Sequence, residues 1–181
     1  WKLNLQQSQL IEMAKELGSD VPFFLFGARA IGKGRGDELT SLPNYGKNTL
    51  LLVNPGIQIS TAWVYKNLNL GLTNNQKDIK LLALSLRRGD IQQLGKLLFN
   101  DLESVLLPRF PILGKIKTLL FESGAAGSLV SGSGSTVFAV FENLEQAQKA
   151  AKTFKECGEK TWRVFLTETL TEEEVSSILK I

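Results

Sequence analysis

With 181 residues, the chain has room for one ordinary domain or one domain and part of another, and 43% hydrophobic against 22% charged residues supports a buried core. Lys and Arg number 21 against 18 Asp and Glu, so the net charge is only +3; with no dense basic run, this argues against nucleic-acid binding but allows a local phosphate pocket. The absence of histidine and the single cysteine, Cys157, exclude a disulfide framework, His-ligated metal sites and Ser-His-Asp or Cys-His catalysis.

Leu10, Ile11, Ala14 and Leu17 repeat at helical spacing, with Gly18 at the C-cap position. The apolar run Val21 to Phe26, bounded by Gly27, predicts a buried strand. Residues 28–42 read as turn-rich β structure around three glycines, closing at Pro43, and Leu50 to Val53 as a strand stopped by Asn54-Pro55-Gly56. Ser60 caps a helix through Tyr65, and Ile79 to Leu86 and Ile91 to Phe99 carry helical spacing. Pro111 suits the first turn of a helix whose apolar face is Ile112, Leu113, Ile116, Leu119 and Leu120. Ser128 to Val130, the run Ser131-Gly132-Ser133-Gly134-Ser135, and a strand from Thr136 to Phe141 follow. Asn143 with Gln146 resembles a capping box for a helix ending at Gly158, beyond which Trp162, Val164 and Leu166 alternate as a last strand. Thr171 to Ile181 reads as a capped acidic turn and a short extra helix. From residue 48 the order β, helices, β, β, α, β is a split βαβ, ferredoxin-like pattern: an α+β domain with added helices. A boundary near residue 45 separates segments 1–45 and 46–181.

Acid–base chemistry falls to carboxylates, Lys or Tyr. Gly27 to Lys33 has the spacing of a phosphate-binding Walker loop, but position 34 is Gly, not the magnesium-holding Ser or Thr, and no helix follows. The glycines read better as a hairpin. Ser131 to Ser135, alternating Ser and Gly between two strands, is either a backbone nest for an anion or a flexible turn. Asp20, beside Val21 and Phe23, is expected to be partly desolvated; it is either a base toward an alcohol or a turn residue bonding its own backbone. The aromatic rings of Ser60 to Tyr65 either stack on a base or join the core. Asn100-Asp101-Leu102-Glu103 sets carboxylates at metal-like proximity, yet an ordinary helix cap explains it too. Cys157, at a helix C-terminus, lacks the dipole that activates a thiolate and reads as inert. No apolar stretch reaches membrane-spanning length, and a reducing interior, the cytoplasm or a plastid stroma, fits the cysteine usage.

Four ordered pieces resemble one family. Leu17-Gly18-Ser19-Asp20-Val21-Pro22-Phe23-Phe24, Gly34 to Thr40, Asn100 to Glu103, and Val130 to Phe138 are similar to signatures of the GHMP small-molecule kinases, and the match spans residues 1 to 167. Gly-Ser-Asp-Val-Pro-Phe points to the diphosphocytidyl-methylerythritol branch. The resemblance implies a GHMP C-terminal domain preceded by a remnant of the N-terminal domain. It also implies transfer of the ATP γ-phosphoryl group to the 2-hydroxyl of 4-diphosphocytidyl-2-C-methyl-D-erythritol, a step of non-mevalonate isoprenoid synthesis, with ATP and Mg2+ as cofactors. On it Asp20 is the catalytic aspartate, and Thr61 and Tyr65 line the cytidine pocket. Ser131, Gly132, Ser133, Gly134 and Ser135 form the loop bordering phosphoryl transfer; no residue is assigned as a metal ligand. The implied partners are ATP and a cytidine-diphosphate-linked polyol, with neither nucleic acid nor membrane, and the oligomeric state stays open. The family's glycine-rich ATP loop and partner lysine have no counterpart in these residues, so the chain alone is expected to be inactive. Exposed apolar surface is expected on residues 1–43. The alternatives are another GHMP kinase with a different acceptor, or a ferredoxin-like binding domain without chemistry.

Overall fold

In the structure, a computed structural model that describes residues 4–43, 45–68 and 78–179, the chain divides into two units: Asn48–Glu168, and Trp1–Lys47 with Thr169–Ile181. Leu51 and Val53, fully buried, alternate with half-buried neighbours along β3 (Thr49–Asn54), the period-two pattern of a strand with one face on a core. The sheet has the order β4 (Gly127–Val130), β5 (Val137–Phe141), β3, β6 (Arg163–Glu168), every pair antiparallel. Leu51 faces Ala139 on one side and Leu166 on the other; Val53 faces Val137 and Val164. This is the expected split βαβ topology.

Two helices supply the matching apolar surface. α7 (Pro111–Glu122) buries Leu113, Ile116 and Leu120 completely, with Ile112 and Leu119 partly buried beside them, so its predicted face is the observed one. α8 (Leu144–Cys157) adds Ala147, Ala150, Ala151 and Phe154. Asn143 caps α8 by accepting from the Gln146 amide at 3.0 Å, but the Gln146 side-chain oxygen is buried without a partner among the described residues. The predicted capping box is therefore half formed. The added helices are α3 (Thr61–Asn67), α4 (Ile79–Arg88), α5 (Ile91–Leu97) and α6 (Glu103–Arg109). Gly95 of α5 lies against Ala126 and Gly127 at the start of β4, an approach that leaves no room for a Cβ on either glycine. The Cys157 side chain lies outside the described residues.

The smaller unit holds α1 (Gln7–Leu17), α2 (Phe23–Phe26), β1 (Ala30–Lys33), β2 (Glu38–Ser41) and α9 (Glu172–Leu179). β1 and β2 pair with Ala30 opposite Ser41, the hairpin expected of the glycine-rich stretch. The strand expected over Val21 to Phe26 is instead α2: Pro22, at φ −56°, occupies the helical entry position, and an apolar run this short carries no period to separate strand from helix. Of the face expected on α1, Ala14 is buried, but Leu17 is 80% exposed; with Met13 and Phe24 it makes the apolar surface expected of this segment. α9 has a full capping box, the Thr171 hydroxyl accepting from the Glu174 amide at 3.3 Å and Glu174 accepting from the Thr171 amide at 2.9 Å. It is tied to the first segment by Glu172 accepting from the Ala28 amide (3.0 Å) and by a Lys47–Glu174 ion pair (2.6 Å). Arg29, buried, donates to the Gly46 carbonyl and to the Thr169 hydroxyl.

Candidate active site

The Ser-Gly run is the connection between β4 and β5. The Ser131 amide donates to the Thr136 carbonyl (2.8 Å) and closes its neck; the Gly134 amide donates to the Ser131 carbonyl (2.9 Å) and makes the turn. Gly132 and Gly134 hold φ of +54° and +86°, left-handed values that side chains disfavour, so the alternation with glycine is what the bend requires. Ser131 is exposed at the neck and Gly132 at the crest, and a Cβ on Gly132 would meet nothing within 4 Å. The base is held rigidly. The Ser135 hydroxyl, buried, donates to the Ile57 carbonyl (2.7 Å), and Asn54 donates to the Thr136 hydroxyl (2.9 Å) while accepting from the Gly56 amide (2.8 Å).

α3 starts beside this loop. Ser60 accepts from the Trp63 amide (3.3 Å) and caps it. In its first turn, the Thr61 and Ser133 hydroxyls lie 2.8 Å apart, so two of the candidate residues, 72 positions apart in sequence, touch. The aromatic alternatives of this helix are divided between its residues. Trp63 packs on the core, edge to face with Phe110 at 6.0 Å between centroids, and Val64 is fully buried. Tyr65, one turn beyond Thr61, is 61% exposed.

Asp20 belongs to the smaller unit, in the turn that follows Gly18, where the Val21 amide donates to the Gly18 carbonyl (3.2 Å). It is exposed, so the partial desolvation expected beside Val21 and Phe23 is absent: the chain turns into α2 there and carries no buried strand.

Asn100 to Glu103 is neither a metal cluster nor a plain cap. Among the described residues no group of three His, Cys, Asp or Glu side chains is arranged to hold a metal ion. The Asn100 side-chain amide donates to the Val130 carbonyl (2.9 Å) and the Gly132 carbonyl (2.8 Å), while its oxygen accepts from the Leu102 amide (3.0 Å). Glu103 accepts from the Val130 amide (2.8 Å) and pairs with Lys117. Sequence reasoning singled out this segment without finding what it does, because the partners of Asn100 and Glu103 in other elements lie 14 to 32 residues away.

A four-stranded split βαβ sheet with a Ser-Gly loop between its second and third strands defines a class. Residues 82–160 match the family described as GHMP kinases C terminal, so the chain carries that family's C-terminal domain. Among its relatives are two proteins named 4-diphosphocytidyl-2-C-methyl-D-erythritol kinase. That of Geobacter sulfurreducens is 42% identical over 153 residues, covering 84% of this chain and 53% of the relative. That of Syntrophotalea carbinolica is 40% identical over 170 residues, covering 94% and 58%. A crystal structure of 4-(cytidine 5'-diphospho)-2C-methyl-D-erythritol kinase superposes with a TM-score of 0.78 at 27% identity, over 93% of this chain and 58% of that one. The chain thus spans a little more than half the length of these relatives.

Proposed function

We propose that the chain is the C-terminal part of a kinase that transfers the γ-phosphoryl group of ATP to the 2-hydroxyl of 4-diphosphocytidyl-2-C-methyl-D-erythritol. The observation that carries this reading is the Thr61–Ser133 contact, which joins the helix bearing the exposed Tyr65 to the Ser-Gly loop. A site that must hold a cytidine and a phosphate chain together needs such a junction, and the relatives at 40% and 42% identity carry the name of that enzyme. Residues 1–45 are assigned to the end of an N-terminal domain and 46–181 to the C-terminal domain.

ATP supplies the γ-phosphoryl group and departs as ADP. The residues of this chain fit the acceptor and phosphate sides: the open crest at Gly132 lets a phosphate approach the backbone without meeting a side chain. Tyr65 stacks on the cytosine ring, and the Thr61 hydroxyl bonds the nucleotide portion of the acceptor. Asp20 accepts the proton of the 2-hydroxyl, or orients it, as the new O–P bond forms. Mg2+ accompanies the nucleotide; no carboxylate cluster among the described residues is built to hold it. The setting is the cytoplasm, or the plastid stroma in a photosynthetic eukaryote.

Phosphoryl transfer depends on positioning and charge stabilisation, so the loss of one group is read in kcat. In the full-length enzyme, Asp20→Asn lowers kcat at least about 100-fold while both KM values stay close to the parent's, the scale of a lost general base. An unchanged kcat for Asp20→Asn removes Asp20 from the chemistry.

A further inference from the structure

Both main-chain groups of Val130 are taken by side chains of one tetrapeptide. Its N–H donates to Glu103 and its C=O accepts from Asn100, which also donates to the Gly132 carbonyl inside the loop. The single side-chain amide of Asn100 therefore bridges the two carbonyls on either side of Ser131. Behind Glu103 stands Lys117 of α7, and the two side chains are only 15% and 21% exposed.

Two simpler explanations fall short. β4 is an edge strand, and its outward N–H and C=O need covering, but water or a loop does that without burying a charged pair. Nor is capping of its own helix the whole role of the segment: the N-cap of α6, Leu102, has no side-chain cap, and beyond accepting from the Leu102 amide Asn100 turns its donors to Val130 and Gly132. The bonding also runs past the end of the strand, to Gly132 at the exposed crest.

We propose that Asn100 and Glu103, backed by Lys117, are positioning residues for phosphoryl transfer, acting through the Ser131–Ser135 loop and touching neither nucleotide nor acceptor. The inference rests on the kinase reading above. Two donated bonds set the spacing of the Val130 and Gly132 carbonyls, and so the direction of the crest amides. The Glu103–Lys117 pair fixes the carboxylate to a helix of the core, so the loop inherits the rigidity of α7. A displacement of about 1 Å in a positioning group is enough to lose about 100-fold in rate.

Asn100→Asp is the decisive variant, because it keeps the shape, removes both donors and sets a carboxylate against two carbonyls. In the full-length enzyme, kcat is expected to fall about 100-fold with both KM values within about threefold of the parent, at a temperature well below the melting point. Hydrogen exchange of the Gly132 to Ser135 amides is expected to quicken at least tenfold. Glu103→Gln, which retains an oxygen for the Val130 amide but gives up the charge that faces Lys117, is expected to lose kcat by a smaller factor than Asn100→Asp. If Asn100→Asp does not fold, Asn100→Ala removes the donors without the added charge and repeats the test. A variant that melts earlier but keeps its kcat, or whose loop exchange is unchanged, overturns the inference and leaves a purely structural role. An unsubstituted enzyme without turnover sinks the kinase reading instead, so the two failures are told apart.

Discussion

The hydroxyls of Thr61 and Ser133 meet at 2.8 Å, joining the first turn of α3 to the crest of the β4–β5 loop. Each end is anchored separately. α3 is capped by Ser60 and plugged into the core by Val64, and the loop is closed by Ser131 and Thr136. The contact therefore links two stiff elements, and a ligand that moves one is felt by the other.

Thr61→Val removes the bond while keeping the side-chain volume. The pair is exposed, so the loss of stability is expected to be no more than about 1 kcal/mol in a thermal melt. In the full-length enzyme the KM for the cytidine-bearing acceptor rises about threefold to tenfold, the effect of one hydrogen bond on binding. Unchanged acceptor KM would leave the contact a structural one.

Tyr65 separates stacking from hydrogen bonding. It is 61% exposed, so Tyr65→Ala is expected to alter folding stability by no more than about 0.5 kcal/mol. Its acceptor KM rises at least about fivefold, because stacking of a base on an aromatic ring contributes about 1–3 kcal/mol. Tyr65→Phe, which retains the ring, stays near the parent. Equal KM values for the Ala and Phe variants would place the cytosine elsewhere.

Gly95→Ala tests the packing of α5 on β4. A methyl group there overlaps the Ala126 carbonyl, which belongs to backbone and cannot rotate away. Overpacking of this kind costs about 1–3 kcal/mol or more, against the gain of about 1 kcal/mol that Ala brings in an open helix. A chemical denaturation curve is expected to shift to lower midpoint. A stabilised variant would mean the two elements separate readily.

The attachment of α9 carries a pH signature. The hydrogen bond from Lys47, and next the Thr171 amide, hold the Glu174 carboxyl below its usual range. A depressed carboxylate contributes stability that is complete above the ordinary glutamate value of about 4.3 and lost as pH falls through the lower folded value. Limited proteolysis within 169–179 is expected to accelerate below about pH 4 in the parent and to lose that dependence in Glu174→Gln. The same acid response in both would assign the effect to other carboxylates.

Sequence patterns reached the parts of the fold that repeat locally. The α7 face of Leu113, Ile116 and Leu120, the Ser60 cap and the strand over Leu50 to Val53 all have their cause within a few residues, and each appears in place. Val21 to Phe26 lacks a readable period, and Pro22 decided it toward helix. Leu17 sits on a helical face by spacing yet stays exposed, since burial depends on what packs there and not on the helix itself. The candidate site divides the same way. The bend at Ser131–Ser135 follows from its glycines, whereas the Asn100 and Glu103 bonds and the Gly95–Gly127 approach join distant segments and leave no local trace.

The measurement that bears most directly on the central claim is phosphorus NMR of the product formed by the full-length enzyme from ATP and 4-diphosphocytidyl-2-C-methyl-D-erythritol, run beside homoserine and mevalonate as acceptors. A new phosphomonoester on the 2-hydroxyl of the cytidine-linked polyol is expected, with neither other acceptor approaching its rate. No phosphomonoester on that polyol, or faster transfer to homoserine or mevalonate, would contradict it.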